Sequence, residues 1–353
     1  MPPISLKIGN RTIGKNQPVF VIAEAGVNHN GRLDLAKKLV DAAATAGADA
    51  IKFQTFKAEQ VVTGAGKMAG YQKKNLGKSG SQLQMLKKLE LREKDYPELI
   101  RYAKKKGLIF LSTPHGGFES VDFLNALGVS AFKFGSGDLT NFPILAHAAI
   151  YKKPMILGTG MATLKEIKEA IDCIKNSGNN KIIILHCTTD YPCAPEEVNL
   201  NVMRTLEDKL GVLTGYSDHT LGSQVPVMAA ALGVCLIEKH LTLDKKMSGP
   251  DHEASSSPEE FLEMVNGIRV AEKILGSHKK APTKSELQYI PTVRKSLVAA
   301  RPIKKGERFT AENLAIKRPG TGLAPKHYFK VIGARARADI QADTLLEPRH
   351  YES

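Results

Sequence analysis

Two lysines in this sequence lie where an ammonium group is costly. Lys52 sits in AIKFQT and Lys133 in AFKFGSGD, each inside an apolar run. A buried, unpaired ammonium is unfavourable, so each is expected to face a permanent anion, or a carboxylate such as Glu24 or Asp138. The turns GSGD and GTGM add backbone N–H groups and a hydroxyl, which suit phosphate and carboxylate oxygens. His219, in GYSDHT, and His240, in IEKHLT, also close apolar runs. Two neutral imidazoles with water in the remaining positions suit an open divalent-metal site rather than a closed structural one. The bland reading of each is a hydrogen-bonded core histidine. Glu24 opens EAGVNHNG, where a carboxylate can act as a general base or proton relay while also pairing with Lys52.

These residues need a frame that gathers strand ends. Eight short apolar runs, bounded by Gly or polar residues, alternate with helical patterns between about residues 19 and 275. They are Val19–Ala23, Ala50–Phe53, Leu108–Ser112, Ala131–Phe134, Met155–Leu157, Ile182–His186, Val212–Gly215 and Val234–Glu238. Their richness in Val, Ile and Phe fits strands buried on both faces. Between them, LDLAKKLVDAAATAG carries an apolar stripe and ends at Gly47, and TLKEIKEAIDCIKNSG stops at Gly178. Ser257 and Pro258, followed by Glu259 and Glu260, read as a helix start. Eight βα units in this length predict a TIM barrel over a doubly wound sheet. A barrel builds its active site at the C-terminal strand ends. Those ends carry Glu24, Lys52, Thr113, Lys133 with Ser136, the GTG around Thr159, His186 to Tyr191, Ser217 to His219, and His240. Reactive groups at nearly every end are hard to read as packing.

The pattern changes after Gly276. Residues 277–291 are polar with two prolines and read as a linker. Residues 292–353 hold short strand-like runs (SLVAA, LAIKR, VIGARA) broken by turns, a small β-rich domain that buries little surface alone. With 50 Lys and Arg against 36 Asp and Glu, the chain carries a formal charge of +14. Aromatic residues at 6%, no Trp and no nucleic-acid-binding motif argue against nucleic acid and for an anionic small substrate. No apolar stretch is long enough for a bilayer, and the N-terminus lacks a secretory pattern, so no membrane association and a cytoplasmic location are expected. Cys173, Cys187, Cys193 and Cys235 lack CxxC spacing and read as thiols of a reducing compartment.

The motifs EAGVNHNG, IKFQTF, STP, FKFGSGD, TGM, HCTTDYP, GYSDHT, IEKHLT and GPDHEAS, then KKGERFTAENLAIKRPG, occur in the order seen in sialic acid synthases, and the chain resembles that family over nearly its whole length. The resemblance implies a (β/α)8 TIM barrel followed by an antifreeze-like (SAF, β-clip) domain. It implies condensation of phosphoenolpyruvate with an N-acylated amino sugar to a nine-carbon 2-keto-3-deoxy acid plus phosphate. By that likeness His219 and His240 would hold Mn2+, with Mg2+ or Co2+ as substitutes, and Lys52, Thr113, Lys133, Ser136, Thr189 and Ser217 would surround phosphoenolpyruvate. Glu24, Tyr71, Tyr191 and Asp251 would serve the sugar, with Glu24 also managing the proton of an attacking water. Arg318 would reach the acyl group in the partner subunit's site, giving a domain-swapped homodimer.

Some positions depart from the family's best-known bacterial form. Gly158 replaces a serine before TGM, so one phosphate hydroxyl is either missing or supplied by Thr159, and Thr189 replaces an asparagine. Tyr71-Gln72 and SQLQML look closer to enzymes that act on di-N-acetylated 6-deoxy sugars and make legionaminic acid. The acceptor is thus N-acetylmannosamine or 2,4-diacetamido-2,4,6-trideoxymannose, with a pseudaminic-type precursor as a further alternative. A Schiff-base aldolase with Lys133 as nucleophile is the rival enzyme, and an ice- or carbohydrate-binding protein is the non-enzyme reading.

Overall fold

The structure, a computed structural model, describes residues 5–68, 70, 73, 75 and 80–352. The chain divides into two compact units, 1–276 and 277–353.

The first unit opens with an antiparallel hairpin, β1 (Ser5–Ile8) and β2 (Arg11–Gly14), which lies outside the expected strand set. Eight strands follow: β3 (Phe20–Gly26), β4 (Ala50–Thr55), β5 (Ile109–Pro114), β6 (Phe132–Phe134), β7 (Met155–Gly158), β8 (Ile182–His186), β9 (Leu213–Asp218) and β10 (Leu236–His240). They pair in parallel in the order β5-β4-β3-β10-β9-β8-β7-β6, and β5 and β6 lie side by side, so the sheet is a nearly closed barrel. Helices follow the strands in turn: α1 (Leu33–Thr45), α2 (Tyr96–Lys105), α3 (Gly117–Ala126), α4 (Phe142–Ala149), α5 (Leu164–Asn176), α6 (Val202–Leu210), α7 (Gln224–Ala231) and α8 (Pro258–Leu275). This is the TIM-barrel alternation.

Strand alternation sorts the residues. Successive side chains point to opposite faces, so the inward row of β10 reads Leu236, Glu238, His240 and that of β3 reads Phe20, Ile22, Glu24. Toward the N-terminal strand ends the inward residues are apolar: Phe20, Ile22, Ala50, Leu111, Ile156, Ile183, Leu213 and Leu236 form one buried cluster. Ile8 and Ile13 of the hairpin belong to the same cluster and plug that end. The outward residues Val21, Ala23, Ile51, Phe53, Phe132, Ile184 and Ile237 pack instead with Leu39, Val40, Leu99, Ile171 and Phe261 of the helices. Toward the C-terminal ends of β3, β4, β5, β6, β9 and β10 the inward row becomes polar, with Glu24, Lys52, Thr113, Lys133, Ser217 and Glu238.

Helix ends follow their local chemistry. Thr163 and Glu166 form a capping box on α5, and Ser257 and Glu260 form one on α8, where Pro258 takes the first turn. Gly47 adopts φ +78° just past α1, the left-handed conformation that glycine enters without a Cβ penalty. Among the described residues no helix is long and apolar enough to cross a membrane.

In the second unit, short helical turns at Lys284–Leu287 and Ile290–Val293 interrupt the stretch expected as linker. The strands β11 (Ser296–Ala299) and β12 (Leu314–Lys317) pair antiparallel and match SLVAA and LAIKR. VIGARA is not a strand. Val331 ends a helical turn, and Arg335 and Ala336 make single bridges to Arg308 and Tyr351. A compact core of Leu297, Ala299, Ile303, Phe309, Val331, Ile340 and Leu346 holds this unit together.

Candidate active site

The polar inward rows meet in one cavity at the C-terminal end of the barrel. All eleven described site residues predicted for the barrel line it: Glu24, Lys52, Thr113, Lys133, Ser136, Thr189, Tyr191, Ser217, His219, His240 and Asp251. Tyr71 lies outside the described residues. Arg318 lies in the second unit, exposed, with its Nε donating to the Val293 carbonyl at 3.1 Å.

The floor is a chain of buried charges. Register places Glu24 beside Lys52 across β3 and β4, and their side chains pair at 2.7 Å. Lys52 also donates to Thr113 Oγ1 at 3.1 Å and lies 3.7 Å from Glu238. Lys133 pairs with Glu238 at 3.2 Å, not with Asp138, whose carboxylate instead faces His115 at 3.3 Å. Ser217 donates to Glu238 at 3.4 Å. Two ammonium groups and two carboxylates, all almost fully buried, thus offset one another. Glu238 is the main functional residue that inspection of strand ends overlooks. It lies two residues before His240, on the same inward row, so period-2 alternation alone points to it. Gln54 and His115 line the cavity as well.

Burial raises the Glu24 carboxyl to about 7, outweighing the attraction of Lys52. Burial pulls the Lys133 ammonium the other way, but Glu238 and Glu24 more than offset it and its pKa ends above the ordinary value. For Glu238 the desolvation is outweighed by Lys133 and Lys52, which leaves its pKa lowered. Asp251, on the loop after β10, is raised to about 6 by burial.

Beside the lysines is a small oxygen-binding cradle. Gly160 N–H donates to Ser136 Oγ at 2.9 Å and to Cys187 Sγ at 3.2 Å. A Cβ on Gly160 would lie 2.1 Å from Thr189 Oγ1 and 2.9 Å from Ser136 Oγ, so only glycine leaves room for these hydroxyls. Thr189 Oγ1 is buried without a hydrogen-bond partner, a hydroxyl ready for a ligand oxygen. Thr159 does not fill the gap left by Gly158. Its hydroxyl donates to the Leu185 carbonyl at 2.9 Å, and it does not line the cavity.

The two histidines stand side by side past the ends of adjacent strands, ring centroids 5.8 Å apart, with the tilted Tyr191 ring 4.1 Å from that of His219. His219 Nδ1 lies 2.5 Å from the Thr188 carbonyl; donating there leaves Nε2 as the basic nitrogen, the arrangement found behind metal-bound imidazoles. His240 Nδ1 is buried without a partner. Burial lowers the pKa of both rings, and for His240 well below its ordinary value, so both are neutral at pH 7. Among the described residues no group of three or more His, Cys, Asp and Glu is arranged around one point. Two imidazoles alone would leave most positions of a bound ion open to water or substrate, as a catalytic rather than a structural site does.

Comparisons with known proteins identify the relatives of this chain. A family model described as the NeuB family matches residues 39–280, and a SAF domain model matches residues 294–352. An N,N'-diacetyllegionaminic acid synthase of Legionella pneumophila is 46% identical over 351 residues, 98% of each chain. The enzyme of the same name from Campylobacter jejuni is 49% identical over 329 residues, 93% of this chain and 98% of its own. Among solved structures, the N-acetylneuraminic acid (sialic acid) synthetase of Leptospira borgpetersenii, in complex with citrate, aligns with a TM-score of 0.72 at 35% identity, covering 82% of this chain and 95% of that one.

Proposed function

The chain belongs to the NeuB family, and from that premise we propose that it condenses phosphoenolpyruvate with a 2,4-diacetamido-2,4,6-trideoxy hexose to give N,N'-diacetyllegionaminic acid and phosphate. The observation that carries this reading is one cavity uniting Lys52, Lys133, the Ser136 and Thr189 hydroxyls and the histidine pair. Its cations and hydroxyls suit a small, multiply charged phosphate ester with a carboxylate. N-acetylmannosamine is the second acceptor considered. The two relatives of nearly equal length are named for the legionaminic product, which favours the diacetamido sugar.

In this reading Lys52, Thr113, Lys133, Ser136, Thr189 and Ser217 hold the phosphate and carboxylate of phosphoenolpyruvate. Tyr191 and Asp251 orient the acceptor. Carbon 3 of phosphoenolpyruvate forms the new bond to the acceptor's aldehyde carbon, water adds at carbon 2, and the C–O bond to phosphate breaks. Glu24, in its ionised form, takes the proton of that water. A Mn2+-like divalent ion, held by His219 and His240, would supply Lewis-acid polarisation of the aldehyde oxygen. The Schiff-base alternative loses ground because Lys133 is held charged by Glu238 and Glu24, whereas a nucleophilic amine must be neutral. Arg318 is assigned to the partner subunit's acceptor site in a domain-swapped dimer. Phosphoenolpyruvate is a cytoplasmic metabolite, and the reaction is placed there.

The test is phosphate release from phosphoenolpyruvate with Mn2+, with each of the two sugars, with and without EDTA. Sugar-dependent release that EDTA abolishes, faster with the diacetamido sugar, is the expected result. Faster release with N-acetylmannosamine would reassign the product to sialic acid. Release indifferent to EDTA would remove the metal from His219 and His240. No release with either sugar would point to another acceptor, such as a pseudaminic-type precursor.

A further inference from the structure

Two of the most deeply buried charges in the barrel take no part in the cavity. Lys239 of β10 and Asp218 of β9 point away from the inward row, and neither lines the site. Lys239 Nζ donates to Asp218 Oδ2 and, at 2.7 Å, to the Thr220 carbonyl. Asp218 Oδ1 accepts from the Tyr216 hydroxyl at 2.9 Å, the Thr220 hydroxyl at 2.9 Å and the Thr220 amide at 3.2 Å. The network is fully satisfied and sealed.

Its place in the sheet is informative. The β9–β10 ladder ends where Lys239 faces Asp218, and His219 and His240 each follow by one residue. Between these two strands backbone pairing thus stops just short of the imidazoles, while His240 stays paired with Glu24 of β3 on its other side. Lys239 continues the connection by side chain: it holds residues 218 and 220, on either side of His219, and itself precedes His240. From the other side, the Thr188 carbonyl braces the His219 ring, and the Cys193 amide donates to the His219 carbonyl at 2.8 Å. A buried ion pair adds little to stability, because desolvation offsets its attraction and an apolar pair could fill the same space. What it adds is a fixed direction and distance.

We infer that the Lys239–Asp218 pair is a positioning device for the metal site, setting the separation and orientation of His219 and His240 without touching ion or substrate. This rests on the reading of the two histidines as metal ligands. Groups that orient ligands from behind change metal affinity when lost, and that gives a readout apart from turnover.

The experiment measures Mn2+ binding to the metal-free, full-length protein by electron paramagnetic resonance of the unbound ion. The double variant Lys239→Met/Asp218→Asn removes both charges together and leaves no lone buried ion. Its Mn2+ dissociation constant should rise roughly 10- to 100-fold, while the KM for phosphoenolpyruvate stays unchanged and excess Mn2+ restores most of kcat. Tyr216→Phe leaves the ion pair intact and removes one donor to Asp218; it should weaken Mn2+ in the same direction by a smaller factor. Wild-type Mn2+ affinity in the folded double variant would overturn the inference. If the double variant fails to fold, unchanged affinity in Tyr216→Phe does the same. Absence of Mn2+ binding by the unmodified protein would overturn the metal-site reading itself, and the inference with it.

Discussion

At the scale of single residues, Glu24 and Asp251 are two buried carboxyls asked to do different things. Glu24 sits against Lys52, with its carboxyl raised to about 7. If its ionised form accepts a proton during turnover, kcat/KM should climb with pH toward a plateau above about 7. Glu24→Gln should lower kcat by roughly 100- to 10,000-fold and erase that limb of the pH profile. An unchanged profile in this variant would assign the proton transfer to another group. Among the described residues Asp251 has no comparable charge partner, and burial raises it from 3.8 to about 6. Because the folded pKa is the higher one, the folded chain holds the proton more tightly. That stabilising contribution is complete below about pH 3.8 and is lost as pH rises through about 6. Asp251→Asn keeps the neutral shape, so it should match the parent near pH 4 and exceed its stability at pH 7 by up to about 3 kcal/mol. Urea unfolding at the two pH values measures the difference. Weaker sugar binding by the same variant would show why the charge is kept despite its cost.

Elements explain which of these residues could be read from the chain. Glu24, Lys52, Lys133 and His240 were legible because each interrupts or ends a Val- and Ile-rich run, and a barrel gathers those ends. Glu238 was not, because a carboxylate flanked by Ile237 and Lys239 looks like part of a charged strand end until inward and outward rows are separated. Lys239 and Asp218 were hidden for the complementary reason: they occupy the outward row, where a helix-facing ion pair has no periodic signature. The hairpin β1–β2 leaves little trace in the sequence because its four-residue strands alternate too briefly to stand out, and VIGARA reads as a strand although an apolar run in a small domain can equally serve a helical turn. Loops carry their own logic. Asn28, just past β3, donates from Nδ2 to the Leu241 carbonyl and to Ser255 Oγ, both at 2.9 Å, and so joins the loop after Glu24 to the segment bearing Asp251. Asn28→Ala should cost about 1–3 kcal/mol, the penalty for stranding buried polar groups. It should also raise the KM for the sugar more than that for phosphoenolpyruvate. An equal change in both constants would mean the loop junction is structural only.

The whole-molecule question is where Arg318 works. It is exposed in a unit that folds around its own core of Leu297, Ile303, Phe309 and Val331, so the chain position of this arginine does not decide which cavity it serves. Service in trans makes a prediction that service in cis cannot imitate. Homodimers of Glu24→Gln and of Arg318→Ala should each be nearly inactive, the first for want of a base and the second for want of a sugar contact. In a mixed dimer, however, the Arg318→Ala subunit keeps Glu24 and receives Arg318 from its Glu24→Gln partner, which completes one of the two sites. Random assortment makes half of the dimers mixed, each with one complete site, so co-expression at equal levels should restore about a quarter of wild-type activity per subunit. An arginine acting in cis leaves every site of every combination lacking one group, and co-expression then restores nothing. The choice of Arg318→Ala also separates binding from folding: the side chain is exposed and donates only one backbone hydrogen bond among those described, at 3.1 Å to Val293, so the variant should keep the parent's melting temperature while losing sugar-dependent turnover. Recovery on co-expression, with each variant folded and dimeric by light scattering, would place the small domain of one subunit over the barrel mouth of the other.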